Sequence, residues 1–261
     1  MDKILNFKRY ICGKEEFNFS ELYRQCTDGR ITLPVNVFLF EHKKYGNILI
    51  NTGCSRYMKK NPAAFAKLLL NHRISFGKDD EFCSQFLSEG FDPVCIKKVL
   101  LTHCLPECCG GLPMLPKYEI ISSARVLATL WLSDPADGIM KSTLPPSNIQ
   151  KNAAGIYNGN IFLGNYFKWI FDVLGDGSVL AVDISGYASA MAGYYFTEKN
   201  LFIAADASVN EDAIEKELVP SDKLLNKTSS PDDYISVLAT LRRMHKEHPE
   251  IKIVFSHSLE I

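Results

Sequence analysis

The stretch Leu100-Leu101-Thr102-His103-Cys104-Leu105-Pro106-Glu107-Cys108-Cys109-Gly110-Gly111 constrains this chain more than any other. It follows the apolar run from Val94 to Leu101, which reads as a buried strand. Into the turn after that strand it packs one imidazole, one carboxylate, three cysteine thiols and a glycine pair. A strand end that opens into a Gly-rich turn presents reactive groups on rigid backbone, as in α/β-type proteins. The loop is therefore the first place to expect chemistry.

The surrounding patterns say what scaffold carries it. Ile31 to Phe40 is β-branched and aromatic, and Gly46 to Ile50 follows the polar bend 41–45, which predicts two antiparallel strands joined by a hairpin. The second strand runs into Asn51-Thr52-Gly53-Cys54-Ser55. Asn61 to Leu70 has Pro62 near its start and good helix formers after it, and Asp80 to Glu89 reads as a second helix ended by Gly90. Phe65, Leu69, Phe76, Phe82 and Phe86 in this region suit either a pocket wall or plain core. Tyr118 to Ser122 predicts a strand, Ser123 to Leu132 a helix, and the polar, Pro-containing stretch Ser133 to Pro146 a long surface excursion. Ile161 to Leu163, Phe167 to Leu174 and Ser178 to Ile184 restart the strand pattern around the turn signal Gly175-Asp176-Gly177. Asp232 to His248 predicts an amphipathic helix with Ile235, Leu238, Leu241 and Met244 inward and acid near its start. It leads into a strand over Ile251 to Phe255 and then Ser256-His257-Ser258.

With 261 residues, 46% of them apolar, the chain can bury one large core or two small ones. Its 29 basic and 30 acidic residues nearly cancel, so it has no large cationic field and nucleic acid is not an expected partner. No run of roughly 18 apolar residues is present, so no membrane partner is expected and a cytoplasmic location is. The eight cysteines are scattered through a chain too large to need staples, which favours reduced thiols, and no Cys-x-x-Cys pair supports a finger-type zinc.

The loop resembles the signature of the metallo-β-lactamase superfamily, Thr-His-x-His-x-Asp-His-x-Gly-Gly, whose polar residues reach one or two metal ions. On that pattern His103 stands at the first His, Leu105 at the second, Glu107 at the Asp, Cys108 at the third His and Gly110-Gly111 at the glycines. Three other landmarks follow the same order as in the family, and a fourth precedes the loop. Leu49-Ile50-Asn51-Thr52-Gly53 resembles the family's Leu-Ile-Asp-Thr-Gly. Asn51 keeps a hydrogen-bonding side chain there without the charge, so it would raise the basicity of a neighbouring histidine less, or it is a plain turn residue. Asp183 to Met191 resembles the Pro-Gly-His-Thr-x-Gly-His segment, with Tyr187 at its first His and Met191 at the later one. A phenol with a pKa near about 10 is a poor neutral-pH zinc ligand, so Tyr187 reads as a hydrogen-bond donor to substrate or water, or as an inert wall. Leu201 to Ala207 resembles the strand ending in Gly-Asp-Ala and keeps Asp206. Val209 stands where lactonase-type relatives often carry Tyr, which counts against simple lactone hydrolysis. Ser256-His257-Ser258 resembles the closing Gly-His-Asp.

The resemblance implies a four-layer αββα sandwich of two mixed sheets, as one domain over 1–261, with the 102–111 loop, Asp206 and His257 converging at one edge. It leaves the first metal position with His103 and Asp206 only. The second would have Glu107, Cys108, Asp206 and His257, each an acceptable zinc ligand. One zinc ion, or none, is the expectation. Asp206, Tyr187 and His103 are the catalytic candidates for hydrolysis of a small ester, lactone or related acyl compound. The competing reading is a metal-free, non-hydrolytic small-molecule binder whose pocket Leu105, Tyr187 and Met191 make more apolar. A Cys-His nucleophile pair, Cys108 with His103 or His257, is a third possibility. His42, His72, His245 and His248, with Lys43-Lys44 and Arg242-Arg243, read as solvated surface.

Overall fold

The computed structural model describes residues 2–132, 138–159 and 161–260. They form two compact units, Met1–Glu16 with Pro34–Ala153, and Phe17–Leu33 with Ala154–Ile261.

The first sheet has strands β1 (Ile4–Asn18), β2 (Arg30–His42), β3 (Gly46–Ile50), β4 (Arg73–Ser75), β5 (Lys98–Leu100), β6 (Glu119–Ser122) and β7 (Gln150–Ala153), in the order β4-β1-β2-β3-β5-β6-β7. The predicted hairpin is β2–β3, antiparallel with Phe38 opposite Ile50. From β3 onward the sheet is parallel. Ile50 pairs with Leu100 and Leu100 with Ile121, so three strands end in one row. Ile48, Leu49 and Ile50 are all fully buried, the continuous apolar pattern of a strand covered on both faces. The row of strand ends hands the chain to Asn51, to Leu101-Thr102-His103 and to Ser123. The helices Pro62–Asn71, Phe82–Ser88 and Ala124–Leu132 lie within the same unit.

The second sheet has β8 (Gly155–Ile156), β9 (Ile170–Asp172), β10 (Val179–Asp183), β11 (Ala192–Phe196), β12 (Leu201–Ile203) and β13 (Lys252–Val254), in the order β13-β12-β11-β10-β9-β8. It is antiparallel except for the β12–β13 pair, where Ile203 lies opposite Val254. That parallel pair needs a crossover, and the helix Pro231–Glu247 lies within it. Ser230 caps this helix on the N–H of Asp233, Pro231 opens it, and Asp232 and Asp233 sit in its first turn. Tyr234, Leu238, Leu241 and Met244 are buried, whereas Ile235 is exposed. A stripe of strict threes drifts off a helix of 3.6 residues per turn, and Tyr234 takes the inward place expected for Ile235.

Several elements depart from the expectations. The charged N-terminal segment is the long strand β1, in which Lys8 and Lys14 are exposed while Ile4, Tyr10, Cys12 and Glu15 are buried, Glu15 Oε1 lying 3.0 Å from His72 Nδ1. Phe162–Asn165 is a single 3-10 turn where a strand was expected, and β11 had no forecast. Of the expected excursion 133–146, residues 133–137 lie outside the described residues. The rest is not a surface segment, because Ile139, Met140 and Thr143 are buried. His42 is buried too; its Nδ1 accepts from the N–H groups of Lys44 and Tyr45 and so closes the hairpin bend. Phe82 and Phe86 are core. No described helix is long and apolar enough to cross a membrane.

Candidate functional site

In the first unit the loop is built by hydrogen bonds to the turn after β3. Asn51 has φ +59, a left-handed backbone that Asn tolerates better than most residues. In that pose its Oδ1 accepts from the Thr102 N–H at 3.0 Å, and its Nδ2 donates to Thr102 Oγ1 at 2.9 Å. Thr102 Oγ1 lies 3.0 Å from His103 Nδ1. Asn51 therefore reaches the imidazole through a hydroxyl, rather than directly as a supporting carboxylate would. Thr52 N–H donates to Cys108 O at 2.7 Å, and Thr52 Oγ1 accepts from the Gly111 N–H at 3.0 Å. Ser55 Oγ donates to Gly110 O.

This lacing explains the glycine pair. A Cβ on Gly110 would stand 2.6 Å from both Gly53 O and Pro106 O, and one on Gly111 would stand 2.6 Å from Thr52 O and from the Phe82 ring. Only glycine admits so close an approach of backbone to backbone.

The lacing sets His103 against Cys108. Cys108 Sγ lies 3.5 Å from His103 Nε2 and 3.8 Å from Nδ1, and both residues are buried. A tetrahedral zinc with nitrogen at about 2.05 Å and sulfur at about 2.3 Å separates those two donors by about 3.6 Å. The observed pair thus has the span of one edge of a zinc site. Glu107 stands beside it on the one-turn helix Pro106–Cys109 and is also buried. The neighbouring thiols are of another kind. Burial raises the pKa of Cys54, with the Glu107 carboxylate adding to it, and burial likewise raises Cys12 and Cys109. Such thiols remain protonated and inert. Cys109 packs instead on Thr143, 3.4 Å from its Oγ1.

In the second unit Asp206 and His257 share one register. Each lies three residues past the paired Ile203 and Val254 of the parallel strands, and Ser256 N–H donates to Ala205 O at 3.0 Å. Carboxyl ends of adjacent parallel strands are where open α/β sheets carry their sites. Ala205 takes φ +47, and Asp206 and His257 are buried. The His257 ring meets Phe17 edge-on, with centroids 4.9 Å apart. Burial raises the Tyr234 pKa, with Tyr23 and the Asp206 carboxylate adding to it, so Tyr234 stays a neutral phenol. Tyr187 is half-buried against the apolar cluster of this unit, 6.4 Å from the Tyr234 ring, and Met191 is buried within the cluster. The chain through Gly186 lies so close to the start of the Pro231–Glu247 helix that a Cβ there would stand 2.5 Å from Tyr234 N.

The sequence reading set Cys108 beside Glu107 in a ligand set and beside His103 or His257 as a Cys-His pair, and within the first unit its sulfur lies next to His103. The reading missed Thr102, Thr52 and Ser55. Their signal was present, since each is a hydroxyl residue adjoining a signature or turn position.

No family model and no curated protein matches the sequence. Solved structures do match. AiiA of B. thuringiensis, as a variant with N-decanoyl-L-homoserine at its active site, is 17% identical, with a TM-score of 0.72 over 99% of this chain and 95% of that one. AidC, a dizinc quorum-quenching lactonase in complex with a product, is 14% identical, with a TM-score of 0.63 over 99% and 92%. The hydrolase AbOPH of the β-lactamase superfamily is 12% identical, with a TM-score of 0.63 over 99% and 88%. The chain therefore shares the fold of these structures, the metallo-β-lactamase fold with two mixed sheets that its landmarks imply.

Proposed function

We propose that this chain is a hydrolase of a small ester, lactone or related acyl compound, working with a single metal ion held by the 102–111 loop and Asp206. The observation that carries the reading is the His103–Cys108 pair, two buried donors spaced as on one zinc. His103, Cys108 and Asp206 make an imidazole, thiolate and carboxylate set that a metal can take. Three protein ligands with one position left open is the catalytic pattern for zinc, whereas structural sites are closed by four. Glu107 and His257 complete the donor set drawn from the sequence, and the reading gives them the remaining ligand or positioning roles. A zinc ion bound there supplies a Lewis acid that lowers the pKa of a water and polarises an acyl oxygen.

The chain's own groups do the rest. Asp206 orients the attacking water and takes its proton, Tyr187 donates a hydrogen bond to the acyl substrate, and the Asn51–Thr102 link holds the His103 ring in one orientation. The partner is a small molecule. Of the structures named above, AiiA carries N-decanoyl-L-homoserine and AidC is a dizinc lactonase with a product bound, and support for the acyl class in this chain comes from the shared fold.

The test is elemental analysis of protein purified without chelator, together with cobalt(II) substitution. One equivalent of metal per chain is expected, with a thiolate-to-cobalt absorption band that Cys108→Ser removes. Two tightly held equivalents overturn the single-ion reading. A second reading, a metal-free small-molecule binder, draws on one observation: both His103 nitrogens already meet protein atoms, Thr102 Oγ1 and Cys108 Sγ. Absence of metal, with the same Tm after added zinc and after chelator, favours that reading.

A further inference from the structure

We propose that Tyr23 and Phe17 are positioning residues, one holding the Asp206 turn and the other the His257 ring, an inference that rests on the reading above in which both landmarks serve a metal. Phe17 stands at the end of β1 and Tyr23 in the link to β2, both strands of the first sheet, yet Phe17–Leu33 folds with the second unit. The link is fixed there by its own backbone. Arg24 N–H donates to Val219 O at 2.9 Å and Ser221 N–H to Leu22 O at 2.8 Å, while Leu22 and Tyr23 lie in the buried cluster with Leu218, Leu224 and Tyr234.

Tyr23 is fully buried, and its phenol is turned onto the residues that follow Asp206. Its oxygen lies 3.0 Å from Ser208 Oγ, and Ser208 Oγ donates to Asn210 O at 3.0 Å. A serine hydroxyl has one proton, so the phenol is the donor in the first bond. The Val209 N–H donates to the same phenol oxygen. Burial raises the Tyr23 pKa more than these bonds lower it, so the phenol keeps its proton. One hydroxyl thus ties Ser208, Val209 and, through Ser208, Asn210. A core filler needs none of this, because phenylalanine fills the same space and a hydroxyl is costly to bury unless it is bonded. The turn so tied is entered through Ala205 at φ +47, a conformation that persists only where the surroundings hold it. Phe17 acts on the other landmark directly. Its ring meets the His257 ring with centroids 4.9 Å apart and planes at 68°, and it also packs against the buried cluster, so it offers the imidazole a fixed aromatic neighbour that favours one orientation.

The experiment combines cobalt(II) titration of the full chain, read by the absorption of the bound ion, with amide hydrogen exchange of the metal-free chain. Tyr23→Phe, Ser208→Ala and Phe17→Leu should each weaken cobalt binding about 10–100-fold, the effect of losing a residue that orients ligands. The Tyr23→Phe/Ser208→Ala double variant should bind no more weakly than the worse single variant, because both cut one chain of bonds. Tyr195→Phe is the control. It removes an equally buried phenol bond, 3.0 Å to Asn200 Oδ1, at the opposite end of β12, and should leave cobalt affinity unchanged. In the metal-free chain Tyr23→Phe should speed exchange at residues 207–210, and Phe17→Leu at residues 256–258, by at least about tenfold, with the amides of β12 and β13 unaffected. Cobalt affinity unchanged in Tyr23→Phe and Phe17→Leu, or lowered as much by Tyr195→Phe, overturns the proposal and leaves the metal reading intact. A wild type that binds no cobalt overturns the metal reading instead, and exchange then decides the positioning roles, which stand if it speeds as stated and fall if it does not.

Discussion

The 102–111 loop and the Asp206 turn both follow parallel strands and both present buried polar groups, yet they are held by different means. The loop is laced by side chains, with Asn51, Thr52 and Ser55 each bonded into it, and by two glycines whose Cβ would strike backbone oxygens. Around Asp206 backbone bonds recur, Ala204 N–H to Val254 O, Ala207 N–H to Ala204 O and Ser256 N–H to Ala205 O, beside side-chain bonds from Ser208 Oγ to Asn210 O and from Phe255 N–H to Ser258 Oγ. A side-chain lacing demands particular residues. A backbone lacing accepts almost any, so the links at Ala204, Ala207 and Ser256 constrain residue identity less than those of the loop.

The largest expected effects come from removing the functional groups at either region. Asp206→Ala and His257→Ala should each cut turnover of an acyl substrate by about a hundredfold or more, and His103→Ala should do the same. Steady-state kinetics on esters and lactones is the measurement. Loss of activity with the His103 and Cys108 variants but not with the Asp206 and His257 variants would break the comparison in favour of a Cys-His nucleophile within the loop.

Backbone demands come next. Gly110→Ala or Gly111→Ala should cost about 2–3 kcal/mol, a fall in Tm of roughly 5–10 °C for a chain of this size. Ala205→Gly, which relieves a left-handed alanine but deletes a buried methyl, should change stability by less than about 1 kcal/mol. Thermal melts of the three variants compare the regions directly, and an Ala205→Gly loss as large as the glycine-loop losses would remove the distinction.

This contrast also accounts for what could be read from the sequence. His103, Gly110 and Gly111 were legible because the loop admits few substitutes at those positions, and the β2–β3 hairpin because its apolar run is uninterrupted. Strand β1 was hidden by Lys8, Arg9, Lys14 and Glu15, adjacent charged pairs that break the alternating apolar pattern of a strand that pairs on both sides, Glu15 being buried beside His72. Ile139 and Met140 were hidden by polar neighbours, although they are what draws that segment inward. The pairing of Cys108 was legible only as one of two, with His103 or with His257, since the choice depends on how tightly the 106–109 turn closes rather than on any residue type. Thr102 tests that wiring. Thr102→Val removes the hydroxyl between Asn51 and His103 and should cost about 2 kcal/mol, or about 5 °C in Tm. A change no larger than that of an exposed Thr→Val would show that the lacing contributes nothing.

The smallest effect sharpens the comparison by pH. Each unit pins a loop with one arginine, Arg56 on the Glu81 carboxylate and Arg242 on the carbonyls of Ala213 and Leu218. Burial alone would raise the Glu81 pKa, but the side-chain and backbone hydrogen bonds from Arg56 outweigh it and hold the carboxyl below its ordinary value. A carboxyl whose folded pKa is depressed adds stability above its unfolded value of about 4.3 and loses it as the pH falls through the folded value. Arg242 is different, because its acceptors do not titrate. Burial lowers its pKa below the ordinary arginine value, and it remains charged throughout the acid range. Glu81→Gln should therefore destabilise the chain at pH 7, and its deficit relative to wild type should shrink as the pH falls below about 4. Arg242→Met should show a nearly constant deficit over the same range. Urea unfolding at a series of pH values between about 3 and 7 reads both, and a Glu81→Gln deficit independent of pH would mean that the carboxylate holds Arg56 by shape rather than by charge.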